Sequence, residues 1–266
     1  MCIRDSDAPL YLATLVGVTL LHAAANVLND YYDTKRGVDV PGAPTTLYRP
    51  HPILTNFATP EQVRNFGLAL LAGGLAIAAA LTPMREYLVL LLALAGVVLL
   101  FTYSGPPGLK YRALGELAVF LSWGVFMWIG TYYVLTGRLS AEPALVGAPV
   151  GSLVAAVLTA NNLRDVEFDK SRGAFTLAVL LGRERGLYLY AAEVLLAYAL
   201  VALLAAARVV SPLALLALLT LPSALRIVSS FRKRVPENAD PVTAQLTLRF
   251  GLLYIAGMLL GALLAL

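Results

Sequence analysis

The chain has 266 residues, 59% of them hydrophobic and only 14% charged, with a formal net charge of +4 and a mean hydropathy of +0.76. Soluble domains run nearer half apolar and a quarter charged, so an ordinary soluble enzyme is excluded and an all-α polytopic membrane protein is expected. The single cysteine, Cys2, excludes a disulfide framework or a thiolate metal site, and no nucleic-acid partner is expected.

Residues 1–8 are polar and lack the grammar of a signal peptide; they read as a ragged start that need not be native sequence. One transmembrane domain is expected over residues 9–266. It holds eight apolar spans at roughly 9–29, 63–82, 86–103, 114–136, 142–163, 186–208, 211–230 and 243–265. The first closes on NVLNDYYDTKRGVD, Asn26 to Asp39, which packs three carboxylates (Asp30, Asp33, Asp39) and two amides (Asn26, Asn29) into one stretch. On a helix, Asn26, Asp30 and Asp33 share a face. His22 lies one turn earlier on that face; a role in proton handling or acceptor binding competes with that of a satisfied interior histidine. His51, in the loop that follows, reads as an ordinary loop residue.

The fifth span closes on NNLRDVEFD, where Asn161, Asp165 and Asp169 fall at i, i+4 and i+8, again one face. Lys and Arg sort between the connections. The first, third, fifth and seventh carry Lys35, Arg36, Arg49 and Arg64; Lys110 and Arg112; Arg164, Lys170, Arg172, Arg183 and Arg185; and Arg232, Lys233 and Arg234. The alternate ones carry only Arg85, Arg138 and Arg208. The positive-inside rule then puts both Asp-rich stretches on the cytoplasmic side.

Capping and loop neutralisation explain single aspartates at helix ends, but two matched clusters favour a metal or polar-substrate site. The donors are all oxygen, which suits Mg²⁺ or Mn²⁺ held by carboxylates together with substrate phosphates. Lys35, Arg36, Lys110, Arg164 and Arg172 lie on the same face and can neutralise phosphate oxygens. Each alone reads more simply as a positive-inside charge; Lys110 and Arg164 are preferred for their motif context. No Gly-rich phosphate loop is present. The rival is a transporter coupling to cations through intramembrane Asp, which would place the charges near the midplane instead of at one face.

NDYYD with its following GVD, the later NNLRDVEFD, and YSGPPGLKYRALGEL (Tyr103 to Leu117) between them together resemble the ordered motifs of the UbiA superfamily of intramembrane prenyltransferases. The run GELAVFLSWGVFMWIGTYYV is similar to the dihydroxynaphthoate polyprenyltransferases of menaquinone synthesis. The resemblance implies nine transmembrane helices around a cavity with both Asp motifs at its cytoplasmic mouth, in a prokaryotic plasma membrane. Because eight spans are visible and the first motif closes the first of them, it further implies that the family's first helix is missing. It implies that Asn26, Asp30 and Asp33, with Asn162, Asp165 and Asp169, bind Mg²⁺ bridged to the diphosphate of a polyprenyl donor. Lys110, Arg164, Lys35 and Arg36 would contact that diphosphate, and Tyr103 would face the allylic carbon of the cation that an aromatic acceptor captures. Two departures bear on the acceptor: Gly173-Ala174-Phe175-Thr176 follows the second motif where relatives are basic, and Asn56 stands where many carry Gly. Dihydroxynaphthoate is the favoured acceptor; hydroxybenzoate, homogentisate, a chlorophyllide or a glycerol-phosphate lipid headgroup remain open.

Overall fold

A computed structural model describes residues 7–47 and 50–264; residues 1–6, Tyr48, Arg49 and the last two residues lie outside the described residues. All eight expected spans appear as helices. The first, α1 (Ala8–Lys35), starts at Asp7, whose carboxylate accepts from the Leu10 N–H at 3.3 Å, with Pro9 in the first turn. It runs past the expected end near residue 29 because nothing in VLNDYYDTK breaks a helix. Asp30 and Asp33 are therefore helical. The chain leaves the helix through Gly37 at φ 73°, so Asp39 lies in the turn beyond.

Next come α2 (Pro60–Arg85), entered through a Thr59–Gln62 capping box, α3 (Leu88–Ser104), and α4 (Gly115–Thr136), which carries a π-helical stretch over Leu121–Phe126. The second Asp stretch breaks at Asp165 between α5 (Glu142–Arg164) and the short α6 (Val166–Ser171). Thr176 caps α7 (Leu177–Ala206), which starts nine residues before the expected position. Gly182, at φ 75° and ψ 165°, is non-helical and kinks it into two pieces, the second of which holds the expected span. Finally α8 (Pro212–Lys233), tightly wound as a 3₁₀ helix over Pro212–Thr220, leads to α9 (Ala239–Leu263). Seven of these helices are long and apolar enough to cross a membrane by length and composition; α3 is apolar but has 17 residues.

The larger core lies among α5, α7, α8 and α9, around the fully buried Leu153, Tyr190, Val194, Phe231, Phe250 and Tyr254. Its polar tips are paired: the Tyr190 and Thr243 hydroxyls meet at 2.9 Å while the Tyr190 ring stacks on Phe231 at 4.8 Å. A smaller cluster of Leu10, Leu81, Val89, Tyr133 and Val134 joins the first four helices. Where α4 crosses α5 the backbones nearly touch. A Cβ on Gly151 would stand 2.5 Å from the Gly124 Cα, so only glycine permits that approach. Apolar side chains left outside, such as Leu12, Val98, Leu203 and Leu252, are those a hydrocarbon surround accommodates. Between α1 to α4 and the ends of α5 and α9 the bundle stays hollow.

Candidate active site

That hollow is a cavity of about 570 Å³. Most of its wall is apolar, including Val18, Leu21, Leu92, Leu99, Phe126 and Met127. One end is polar and gathers Asn29, Asp33, Asp39, Lys110, Asn161 and Asp240. Both Asp-rich stretches end there because α1 and α5 run into the same face of the bundle. The loops behind them are knitted together: Ala113 N–H donates to Phe175 O at 2.9 Å, and Arg112 pairs with Phe175 in a short parallel bridge. The loop holding Lys110 is thus fixed to the loop that follows the second Asp stretch.

Asp30, Asp33, Asp39, Asp165 and Asp169 are each 7% exposed or less. Burying five carboxylates at one end of a bundle is costly unless cations or hydrogen bonds compensate. Asp33 is the most fully engaged. Lys110 Nζ and the Tyr111 hydroxyl both donate to it, as does Asn29 Nδ2 at 3.1 Å. Asn29 Oδ1 in turn accepts from Lys110 Nζ at 2.8 Å and from Ser104 Oγ at 2.5 Å. Burial, with the Asp33 charge beside it, holds the Tyr111 phenol well above its usual range, so it stays a donor. Burial likewise pushes the Asp39 carboxyl up, helped by Asp33 and opposed by Lys110 and His51. Asp39 Oδ2 meets His51 Nε2 at 3.1 Å, and Asp30, Asp39 and His51 each bring one donor atom within 4.8 Å of the others.

In the second stretch, Arg164 spreads its guanidinium over several partners. Nε and Nη2 each reach Asp165 at 2.6 Å, Nη2 reaches Asn161 at 2.8 Å, and Nη1 reaches Asp240 at 2.5 Å. Burial pushes the Asp165 carboxyl up against this pairing. Asp169 is pushed up to about 7, first by burial and then by the charge of Asp165, with Lys110 opposing. Burial raises both carboxyls even with Arg164 and Lys110 beside them, and their all-oxygen chemistry fits a hard divalent cation at the cavity mouth.

The residues named from sequence divide between this mouth and its surroundings. Asp33, Lys110 and Tyr103 line the cavity, the Tyr103 ring centroid lying 5.9 Å from Lys110 Nζ. Arg164 and Asp165 stand at the end of α5 beside it, and Asp169 follows in α6. Asn26 and His22 also line the cavity but pair with each other, Asn26 Nδ2 lying 3.2 Å from His22 Nε2, and the His22 ring packs edge-on against Trp123. Asn29 takes the amide position beside Asp33. Asp30 turns to Asp39 and His51. Asn162 also turns aside, donating to Glu116 Oε1 at 2.8 Å, and its neighbour Asn161 lines the wall. Lys35 and Arg36 are exposed, over the rings of Tyr31 and Tyr111 at 5.7 and 4.5 Å. The sequence reading gave no site role to Asn29, Asp39, Tyr111 or Asp240. Asn29 lies one turn before Asp33 on α1 and shares its face, whereas Asp39 falls outside the helical-face rule because α1 ends between Asp33 and Asp39. Asp240 has no local signal beyond an acid in a turn.

The model of the UbiA prenyltransferase family matches residues 4–250. The chain is 32% identical over 257 residues to UbiA prenyltransferase domain-containing protein 1 of Danio rerio, covering 96% of this chain and 74% of that protein. It is 29% identical over 262 residues to 1,4-dihydroxy-2-naphthoate octaprenyltransferase of Bacillus subtilis (strain 168), covering 96% and 82%. Its fold is similar to that of a UbiA homolog from Archaeoglobus fulgidus solved bound to GPP and Mg²⁺. The TM-score is 0.62 and the identity 19%, over 94% of this chain and 89% of the other.

Proposed function

From the premise that the chain belongs to the UbiA prenyltransferase family, we propose that it moves a polyprenyl group from its diphosphate to an aromatic quinone precursor, with Mg²⁺ as cofactor. The favoured acceptor is 1,4-dihydroxy-2-naphthoate, in keeping with the Bacillus subtilis relative. The observation that carries this reading is a mouth of buried carboxylates and one lysine opening into an apolar chamber.

Asp33 and Asp39 on one side, with Asp165 and Asp169 on the other, are the proposed holders of the cation. When bound, Mg²⁺ supplies charge stabilisation for the departing diphosphate. Lys110 is already oriented by Asn29 and Asp33 and presents its ammonium to phosphate oxygens. Tyr103 forms the wall next to Lys110, where the allylic carbon would lie. The apolar walls take the prenyl chain and keep water from the carbon that loses its oxygen. With dihydroxynaphthoate, the carbon–oxygen bond to diphosphate breaks and a ring carbon bonds to the prenyl group. The ring carboxylate leaves as carbon dioxide, and its electron pair restores the aromatic ring. The distribution of Lys and Arg supports placing the mouth on the cytoplasmic side.

Purified membranes given geranylgeranyl diphosphate and dihydroxynaphthoate should form a prenylated, decarboxylated product that disappears with EDTA. Product from hydroxybenzoate or another ring, with none from the naphthoate, would keep the transfer and change the acceptor. Turnover that survives EDTA would sink the cation site.

A further inference from the structure

We infer that His51 is a positioning residue for the cation site: its Nε2–H holds the Asp39 carboxylate toward the cavity and thereby sets the affinity for divalent metal. The inference rests on the proposed reading that Asp39 is one of the cation-holding carboxylates.

His51 lies in the loop between α1 and α2, yet it is 1% exposed. A buried imidazole needs a partner at each nitrogen. The Leu54 N–H donates to Nδ1 at 3.3 Å, so Nδ1 carries the lone pair and Nε2 carries the proton. The atom facing Asp39 Oδ2 at 3.1 Å is therefore a donor. This distinguishes two readings of the cluster that Asp30, Asp39 and His51 form. A histidine ligand would have to offer the Nε2 lone pair to a metal, which would put a proton on Nδ1 against the Leu54 N–H. The backbone excludes that arrangement and leaves the ring as a hydrogen-bond donor to a carboxylate.

Asp39 needs such a donor more than its neighbours do. Asp33 is fixed by the helix and by Lys110, Tyr111 and Asn29. Asp39 lies past Gly37, in a turn, where its own N–H reaches back to Asp33 O at 3.2 Å. No helix sets its side-chain direction. The ring is itself well held. Thr55 donates to His51 O through its N–H at 3.0 Å and its hydroxyl at 2.8 Å, Ala58 N–H donates to Pro52 O at 3.0 Å, and prolines flank His51 on both sides. A rigid donor behind a ligand carried on a turn is how outer partners tune metal sites, and losing one typically weakens binding by roughly 10–100-fold.

The test uses the full chain in detergent, with Mn²⁺ binding followed by electron paramagnetic resonance and the Mg²⁺ requirement followed by transfer activity. His51→Leu should weaken Mn²⁺ binding about 10–100-fold and raise half-saturating Mg²⁺ in proportion, with the rate at saturating metal within about 3-fold. His51→Gln, whose amide N–H reaches as far as Nε2, should bind within about 3-fold of the parent, and the shorter His51→Asn should not. In an Asp39→Asn background, His51→Leu should have no further effect. Parental Mn²⁺ affinity in His51→Leu overturns the inference, as does equal affinity of the Gln and Asn variants. That last contrast decides the matter if the Leu variant fails to fold. Should the parent chain itself bind no Mn²⁺, the proposed cation site fails before His51 is reached. If the parent binds and His51→Leu matches it, only the role of His51 is lost.

Discussion

Lys110 stands between the two acidic stretches, hydrogen-bonded to Asn29 and Asp33 and close enough to Asp165 and Asp169 to oppose the upward push on both. Removing it should leave the fold intact, because Tyr111 and Asn29 still hold Asp33. Lys110→Ala should raise the KM for prenyl diphosphate about 10–100-fold, the weight of a charge-assisted hydrogen bond; an unchanged KM would remove it from the site. Asp165→Asn should abolish turnover while the protein still inserts in membranes. Arg164 would then keep only Asp240 and its remaining partners, so insertion is checked on the same preparation. Asp169 gives a pH prediction. With its carboxyl near 7, metal must displace a proton below that value, so Mn²⁺ affinity should fall about tenfold per unit as pH drops below 7. Without metal the same group works the other way for stability. Its contribution is full below the ordinary value near 4 and is lost as pH rises through about 7, so acid conditions favour the empty fold. At this scale helical period points to Asp33 and Asp165, while motif context points to Lys110, which lies in a short 3₁₀ turn. Asp39 and Asp240 depend on where α1 ends and how the loops fold back. Neither is a pattern along the chain.

Among the elements, the eight spans were legible because an uninterrupted apolar run has few alternatives in hydrocarbon. Boundaries moved where polar residues stayed helical, at VLNDYYDTK in α1 and after the Gly182 kink in α7, since composition marks the edge of the apolar run and not the edge of hydrogen bonding. The π-helical stretch Leu121–Phe126 had no signature, yet it lies where α4 crosses α5 and brings Gly124 against Gly151. Gly151→Ala would drive a Cβ into that backbone. It should destabilise the bundle by about 1–3 kcal/mol, as overpacking does, seen as a lower midpoint of thermal unfolding in detergent. An unchanged midpoint would mean the two helices separate freely.

For the molecule as a whole, the division into a dense half and a hollow half matters most. The core among α5, α7, α8 and α9 is packed with aromatic rings, while the cavity borders mainly α1 to α4. Deep in that cavity Gly96 and Gly130 line the wall, and a Cβ at either would meet nothing within 4 Å. Gly130→Phe should therefore fill the chamber without disturbing its walls and shift preference toward shorter prenyl diphosphates, by about tenfold or more in kcat/KM ratio if two or three methylenes lose their place. Competition between farnesyl and longer donors reads this directly. No single span foretold the hollow, because a cavity is a property of how spans fail to meet. The helix α3 adds a consequence of its own. Its 17 residues rise roughly 25 Å, some 5 Å less than the hydrocarbon thickness of a typical bilayer. If α3 spans such a bilayer, local thinning of the lipid would accommodate it and bring Ser104, with the Lys110 loop just beyond, nearer the hydrocarbon. On the proposed function, a donor dissolved in the membrane would then present its diphosphate to the carboxylates while its tail stays among the acyl chains. Acyl-chain length in the surrounding vesicle becomes a control on turnover.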